Sequence, residues 1–178
     1  MTTSLLDAAL VEETAKKSSL LWVRGPGPAP ARALWHVWHD GAVWLVGGPG
    51  EQPLDGLDLR DGGTATVTAR SKDSGGRLVA WPARVSEPAA DGPRWAAAVA
   101  ELRGKRLNAP DAEELPTRWA AECRVLRLAF ESPATQRPGA YPAGSGAEPP
   151  RPSPALTRGV HAADHGGRRQ RPRRRRGG

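Results

Sequence analysis

Two apolar runs that flank the dipeptide Asp40-Gly41 constrain the fold more than any other feature of this sequence. An Asp-Gly pair between β-type runs strongly favours a hairpin with a two-residue turn. Such a turn sets three cross-strand pairs, which are His39 with Ala42, Val37 with Trp44, and Trp35 with Val46. Both faces of the hairpin are largely apolar, whereas a hairpin with one solvated face alternates more cleanly. We therefore expect both faces to be covered, one by a barrel interior and the other by a helix or a second subunit.

The residues around this hairpin alternate between helical and β-type patterns. Helical patterns cover residues 4–17, a segment that opens at Pro93 and a shorter one that begins near Pro116. The expected strands are Leu20–Arg24, Ala33–His39, Ala42–Gly47, Thr64–Arg70, Arg77–Val85 and Arg124–Phe130. The order is helix, five strands, two helices and one strand, which predicts a mainly β protein with flanking helices.

Two local signals refine these elements. In the first helix, Ser4 with Asp7 three residues later resembles a capping arrangement. The apolar stripe of that helix is predicted to consist of Leu5, Leu6, Ala9 and Leu10. In the fifth strand, Pro82 cannot donate to a β-ladder, so we expect that strand to be an edge or to be bulged there.

The charge of the chain is divided unequally between two parts. Residues 1–132 carry 16 Lys and Arg against 17 Asp and Glu, whereas residues 133–178 carry 10 Arg against 2 acids. The second part is rich in Pro, Gly, Ala and Arg without any period, a composition that cannot repay the entropy of ordering. We expect one domain over residues 1–132 and a disordered basic tail over residues 133–178.

The sequence contains few features that indicate a cellular compartment. Cys123 is the single cysteine, so an intramolecular disulfide is excluded and nothing suggests an oxidising compartment. The first residues lack a basic segment and carry Asp7, unlike a signal peptide, and no apolar run reaches the roughly 18 residues of a membrane span. The chain is expected to be cytoplasmic, with no membrane partner.

The order of elements and the residues around the hairpin resemble the FMN-binding split-barrel superfamily typified by pyridoxamine 5′-phosphate oxidase. The similar stretches are residues 18–24, which read SSLLWVR, residues 34–46 with the hairpin, residues 66–68 and residues 77–79. The resemblance covers about Ser4 to Phe130. It implies a six-stranded split barrel that forms a homodimer, with FMN or a deazaflavin in the groove between the subunits.

In the oxidase-like members of this superfamily, the segment after the third strand supplies Ser and Lys or Arg to the FMN phosphate. The corresponding stretch of this sequence is residues 48–53, which contain no cation and one acid, Glu51. A carboxylate beside a phosphate costs free energy. Backbone N–H groups of a Gly-rich loop can hold a phosphate without a cation, so Gly48 and Gly50 are candidate cofactor-binding residues.

A cationic cluster lies at the end of one predicted strand pair. Arg70, Ser71 and Lys72 end one strand, and Arg77 opens the next. Two arginines and a lysine at a strand end can hold an anionic group by charge-assisted hydrogen bonds. The alternative interpretation is a solvated hairpin end balanced by Asp73.

Aromatic and histidine residues add further candidates. Trp38 is a candidate for stacking on a planar cofactor ring, together with three other tryptophans, Trp35, Trp44 and Trp81, although packing is the commoner role of tryptophan. His36 and His39 are three residues apart on a strand, which places them on opposite faces, so they cannot share a metal ion. We expect no metal site.

Two functions therefore remain open. One is a flavin- or deazaflavin-binding split barrel, whose cofactor would allow it to act as an oxidoreductase on a small molecule, since the cofactor rather than the protein supplies redox chemistry. The other is a cofactor-free barrel that serves as an interaction module. In that case the tail, with seven arginines among residues 168–176, would bind nucleic acid or another polyanion.

Overall fold

The computed structural model describes residues 2–71, 73–107, 109, 112–131 and 133–140. Within these residues the chain forms three helices and seven strands. The helices are α1 (Thr2–Lys17), α2 (Pro93–Lys105) and α3 (Leu115–Glu122). The strands are β1 (Leu20–Arg24), β2 (Arg32–Trp35), β3 (Val37–His39), β4 (Ala42–Gly47), β5 (Thr64–Arg70), β6 (Arg77–Ser86) and β7 (Arg124–Phe130).

All seven strands belong to one antiparallel sheet that nearly closes into a barrel. Their order is β2-β1-β5-β6-β7-β4-β3. The two outer strands, β2 and β3, are consecutive in the chain and are separated only by His36, so the barrel closes at this corner. The strand count is seven rather than six because the predicted strand Ala33–His39 breaks at His36. Its first half pairs with β1 and its second half with β4.

The Asp40-Gly41 turn forms as predicted. Both residues have positive φ, 47° and 65°, as a two-residue hairpin turn of the mirror-image type requires. The pairs His39 with Ala42 and Val37 with Trp44 are confirmed. The predicted pair of Trp35 with Val46 is wrong, because Trp35 lies in β2 and pairs with Leu20 of β1.

Every residue of β4 is buried, so the hairpin is covered on both faces as expected. Val43 and Leu45 point into the barrel interior. Trp44 and Val46 point outward, into a second apolar cluster that α2 and α3 complete. The outer cover is therefore made of the chain's own helices and gives no argument for a second subunit.

The buried face of α1 differs from the predicted stripe. Of the predicted stripe, Leu5, Leu6 and Ala9 are exposed and Leu10 is partly buried against the barrel cluster. The fully buried residues of α1 are Val11 and Ala15, which pack into the same cluster. Asp7 is not part of a cap at Ser4, because α1 already begins at Thr2 and the Asp7 side chain is buried. The prediction failed because short apolar runs do not show which side of a helix meets the barrel.

Pro82 causes neither an edge nor a bulge. β6 lies between β5 and β7, and the irregular register is at Ala69 and Arg70 instead. The side of Pro82 that lacks a donor faces β7, where the ladder ends at the pair Ala83 with Phe130. The Pro82 carbonyl still accepts from the Glu131 N–H at 2.8 Å, so Pro82 costs only one donor at the end of this ladder.

The barrel unit extends beyond the boundary predicted at residue 132. Ala134 is buried in the barrel cluster, and its N–H donates to Asp7 Oδ2 at 3.0 Å. Arg137 pairs with the same carboxylate at 2.8 Å, and Gln136 forms a β-bridge with Ala80. Residues 133–140 thus belong to the barrel unit, and residues 141–178 of the predicted tail lie outside the described residues. Along the described chain, no helix has the length and apolar character to cross a membrane.

Candidate functional site

Two adjoining cavities lie on the outer side of the barrel between α1, β1 and the β5–β6 turn. Their volumes are about 480 and 290 Å³. They share three wall residues, Ser18, Arg70 and Ser71. We call the pair the Arg70 groove. A cavity of this size is within the range that small ligands occupy in proteins.

Arg70 is held at the centre of this groove by an aromatic ring. Its guanidinium carbon lies 4.4 Å from the centroid of the Trp22 ring. Trp22 lies on β1 and pairs with Thr68 of β5, so the alternation of both strands places Trp22 and Arg70 on the same outer face. A guanidinium stacked on a ring keeps its N–H groups free in its own plane, where they can donate to an anion.

The register adds a second positive charge beside Arg70. Arg77 is its cross-strand partner. Like charges in opposite positions of a sheet destabilise the pair unless a counter-charge lies near. Lys17 and Glu13 of α1 also line the groove, but they pair with each other at 2.6 Å. Among the residues that line the groove, Arg70 and Lys17 are matched by Glu13 and Asp73, and Arg77 brings a further cation to the strand position opposite Arg70.

Ser71 has a structural role in the same turn. Its Oγ accepts from the backbone N–H groups of Asp73 and Ser74, at 3.2 and 3.3 Å. The hydroxyl thus holds the turn that places Arg70 opposite Arg77. Ser71 shapes the groove while its acceptor capacity is used within the turn.

A larger cavity of about 830 Å³ lies under the loop between β4 and β5. Gly48 lines it, as do the exposed carboxylates Asp55 and Glu122. Its two arginines are paired with acids, Arg60 with Asp58 and Arg124 with Glu87. The charge left over in this cavity is negative, which disfavours a phosphate there.

Glu51, the single acid of residues 48–53, lies in a buried ion-pair cluster. The Glu51 side chain is 0% exposed. Its two oxygens accept from Arg106 Nε at 2.9 Å, Arg118 Nη2 at 2.9 Å and Trp119 Nε1 at 3.1 Å. We call this set the Glu51 clamp. It fastens the loop to the ends of α2 and α3, so Glu51 is neutralised within the protein and does not face an open phosphate site.

The two glycines of this loop are packed closely against the same elements. A Cβ on Gly50, whose φ is +74°, would lie 3.0 Å from Arg118 Nη1. A Cβ on Gly48 would lie 3.1 Å from the Cα of Cys123. Burial raises the pKa of the Cys123 thiol, which donates to the Pro49 carbonyl at 3.7 Å. Both glycines therefore have a packing role of their own.

The structure separates the residues that the sequence proposed as one site. Arg70 and Ser71 line the Arg70 groove, Arg77 stands opposite Arg70, and Gly48 lines the larger cavity. Trp38 lies on β3 with its ring partly buried against the barrel core. Lys72 is outside the described residues.

Sequence reasoning missed the residues that come from distant segments. Trp22 and Lys17 reach the groove from β1 and α1, and Arg106 and Arg118 reach Glu51 from 55 and 67 residues away. The alternation of β1 could have placed Trp22 on an outer face. No local pattern signals the long-range partners of Glu51.

No protein-family model matches this chain, and no curated protein matches it either. Two solved structures share its architecture. The heme storage protein HutZ of Vibrio cholerae superposes with a TM-score of 0.50 at 12% identity, over 70% of this chain and 89% of that chain. The conserved hypothetical protein Rv2991 of Mycobacterium tuberculosis also gives a TM-score of 0.50, at 14% identity, over 70% and 80% of the two chains.

Identities this low show a common fold and nothing more. With the nearly closed antiparallel sheet, they establish that this chain has the split-barrel fold.

Proposed function

We propose that this split barrel binds a planar, anionic small molecule of the flavin or deazaflavin type in the Arg70 groove. The observation that carries the proposal is the Arg70 guanidinium, stacked on Trp22 between two cavities and opposite a second arginine. This arrangement offers an aromatic surface for a ring and oriented donors for an anionic group. Among the residues that the sequence predicted as one site, Arg70 is the cation that lines both of these cavities.

Different residues in and beside the groove would contact different parts of the ligand. Arg70 would hold the anionic group, and Trp22 would keep the guanidinium in place and offer its edge to the ring. The threonines of β5, at positions 64, 66 and 68, stand on the same outer face and supply hydroxyl groups. A bound flavin would supply hydride or electron transfer to a small substrate, and the protein would orient it.

The homodimer belongs to the same proposal. Leu20 and Leu78 lie beside Arg70 and are 51% and 38% exposed. A second copy of the chain that covered these side chains would enclose the groove and exclude water from it. Enclosure strengthens the attraction between Arg70 and an anion because it lowers the local dielectric constant.

Heme is the second candidate ligand for the same groove. HutZ is described as a heme storage protein and shares the fold. Heme is planar and carries two carboxylates, so the chemistry that would recognise it in the groove is the same as that for a flavin phosphate. The ligands are distinguished by their absorption spectra.

The test is a spectroscopic titration of the purified protein with FMN, a deazaflavin and hemin. We expect binding of one of them at micromolar concentration, weakened at least about tenfold in Arg70→Ala because a charge-assisted hydrogen bond is lost. Arg60→Ala is the matched control, since it removes an exposed arginine from the larger cavity. Sedimentation of the same samples reports whether two copies share the ligand.

Equal affinities of wild type and Arg70→Ala would contradict the assignment of the groove. A loss of affinity in Arg60→Ala alone would move the site to the larger cavity. No binding of any of the three ligands would favour the cofactor-free interaction module.

A further inference from the structure

A separate cavity of about 380 Å³ lies against the corner at which the barrel closes. Its walls come from the segment before β1, the β2–β3 corner and the end of α2. The lining residues are Ser19, Trp35, His36, Lys105, Arg106 and Leu107. None of them lines the Arg70 groove apart from Ser19, which lies between the two.

His36 forms part of this wall and has an unsatisfied ring nitrogen. The residue is only 3% exposed. Its Nε2 lies 2.9 Å from the Ala15 carbonyl, and since a carbonyl only accepts, Nε2 carries the proton. Its Nδ1 is buried and has no hydrogen-bond partner within the described structure. Buried polar atoms are nearly always satisfied, so an orphaned one at a cavity wall requires an explanation.

The charge of the cavity is positive and comes from the end of α2. The guanidinium of Arg106 is already engaged by Glu51 and by the carbonyls of Gly50 and Leu107. Lys105 is exposed at the rim, and no ion pair of its ammonium is seen in the described part of the chain. One uncommitted positive charge therefore faces the cavity.

We propose that this cavity is a second binding site, for a small organic carboxylate with an apolar body. Lys105 supplies the counter-charge for the carboxylate, and the Trp35 ring with Leu107 packs against the apolar part. A single point charge suits a monoanionic carboxylate better than a phosphate, which is held best by several donors in a fixed geometry.

The site couples ligand binding to the protonation of His36. Burial lowers the pKa of His36, the Ala15 carbonyl opposes this shift, and the charge of Lys105 lowers the pKa further. The groups that face the ring are the Ala15 carbonyl from α1, the Leu34 carbonyl from β2, which like Ala15 raises the pKa, and the two cations, Lys105 and Arg106, from the end of α2. An anion in the cavity offsets Lys105 and favours the imidazolium, so binding raises the pKa of His36.

The experiment is an NMR titration of the histidine ring protons of the full chain, with and without benzoate as the probe. We expect benzoate to move the His36 titration to higher pH. Lys105→Gln should weaken benzoate binding at least about tenfold. Arg103→Gln is the matched control, because it removes another exposed cation from the last turn of α2 that does not line the cavity.

Three outcomes would overturn the proposal. They are a His36 titration that benzoate does not move, equal benzoate affinity in Lys105→Gln and wild type, and an equal effect of inorganic phosphate, which would remove the role of the apolar body. Tryptophan fluorescence of both variants verifies that they are folded. The readout is the His36 ring, so the result is independent of whether the Arg70 groove binds a cofactor.

Discussion

Glu51 shows how a single side chain can fix a loop of this barrel. Its carboxylate is fully buried, while its partners Arg106 and Arg118 are 29% and 22% exposed. Two guanidinium groups and one indole N–H converge on it. Removing the charge would leave two partly buried cations without their counter-ion, which is the costly way to break a buried pair.

We therefore expect Glu51→Gln to lower the free energy of unfolding by about 2–3 kcal/mol. The amide keeps the shape and one acceptor but loses the charge. Urea unfolding followed by tryptophan fluorescence measures the change. Glu13→Gln, which breaks an exposed ion pair with Lys17, should leave the midpoint nearly unchanged. If both variants unfold like the wild type, the clamp does not stabilise the loop.

Among the secondary-structure elements, the corner between β2 and β3 determines how the two edges of the sheet come together. The chain leaves one edge of the sheet at Trp35 and enters the other at Val37. The buried ring of His36 fills the corner and is fastened to α1 through the Ala15 carbonyl. A protonated imidazole at this position would be a buried charge beside Lys105.

The buried His36 at this corner should make the free energy of unfolding depend on pH. The pKa of His36 is lowered in the folded state, so below the unfolded pKa of about 6.5 the unfolded chain binds a proton that the folded chain excludes. The contribution of neutral His36 to the free energy of unfolding is then fully present above pH about 6.5. It is lost as the pH falls from there toward the folded pKa of His36. The slope approaches about 1.4 kcal/mol per pH unit.

Urea unfolding at several pH values, in buffers without phosphate or carboxylate, measures this slope. His36→Gln should reduce it below pH about 6.5. A slope that is the same in the variant and the wild type would show that His36 does not titrate on unfolding in this range.

The elements of this fold were easier to predict than their arrangement. The Asp40-Gly41 turn, the alternation of β5 and the helix that opens at Pro93 are local signals, and all three are confirmed. The break at His36 and the buried face of α1 depend on contacts with distant strands, which a single sequence does not display. For the same reason the sequence offers Arg70 as a candidate residue but does not show its contact with the Trp22 ring.

At the scale of the whole molecule, the barrel unit is completed by a segment that resembles a linker in sequence. Residues 133–140 contribute Ala134 to the core and bring Arg137 to the buried Asp7. Thr135 adds a backbone hydrogen bond to the Ala80 carbonyl at 2.8 Å. Composition alone assigned this segment to the tail because its few apolar side chains show no period.

Shortening the chain tests this boundary. A chain that ends after Ala140 keeps these contacts and should unfold at the wild-type urea concentration. A chain that ends after Glu131 leaves Asp7 buried without Arg137 and without the Ala134 N–H, so we expect a loss of at least about 2 kcal/mol. Equal midpoints for the two shortened chains would place the domain boundary back at residue 132.

The position of β7 has a consequence for how the chain is made. β7 pairs with β6 on one side and β4 on the other, yet it follows both in sequence, after two helices. While the chain is synthesised from its N-terminus, the edges of β4 and β6 that later pair with β7 therefore stay unpaired until residue 130 has left the ribosome. Unpaired apolar edges are templates for wrong strand pairing. The strand that completes the barrel is also the one whose delay exposes the nascent chain to aggregation.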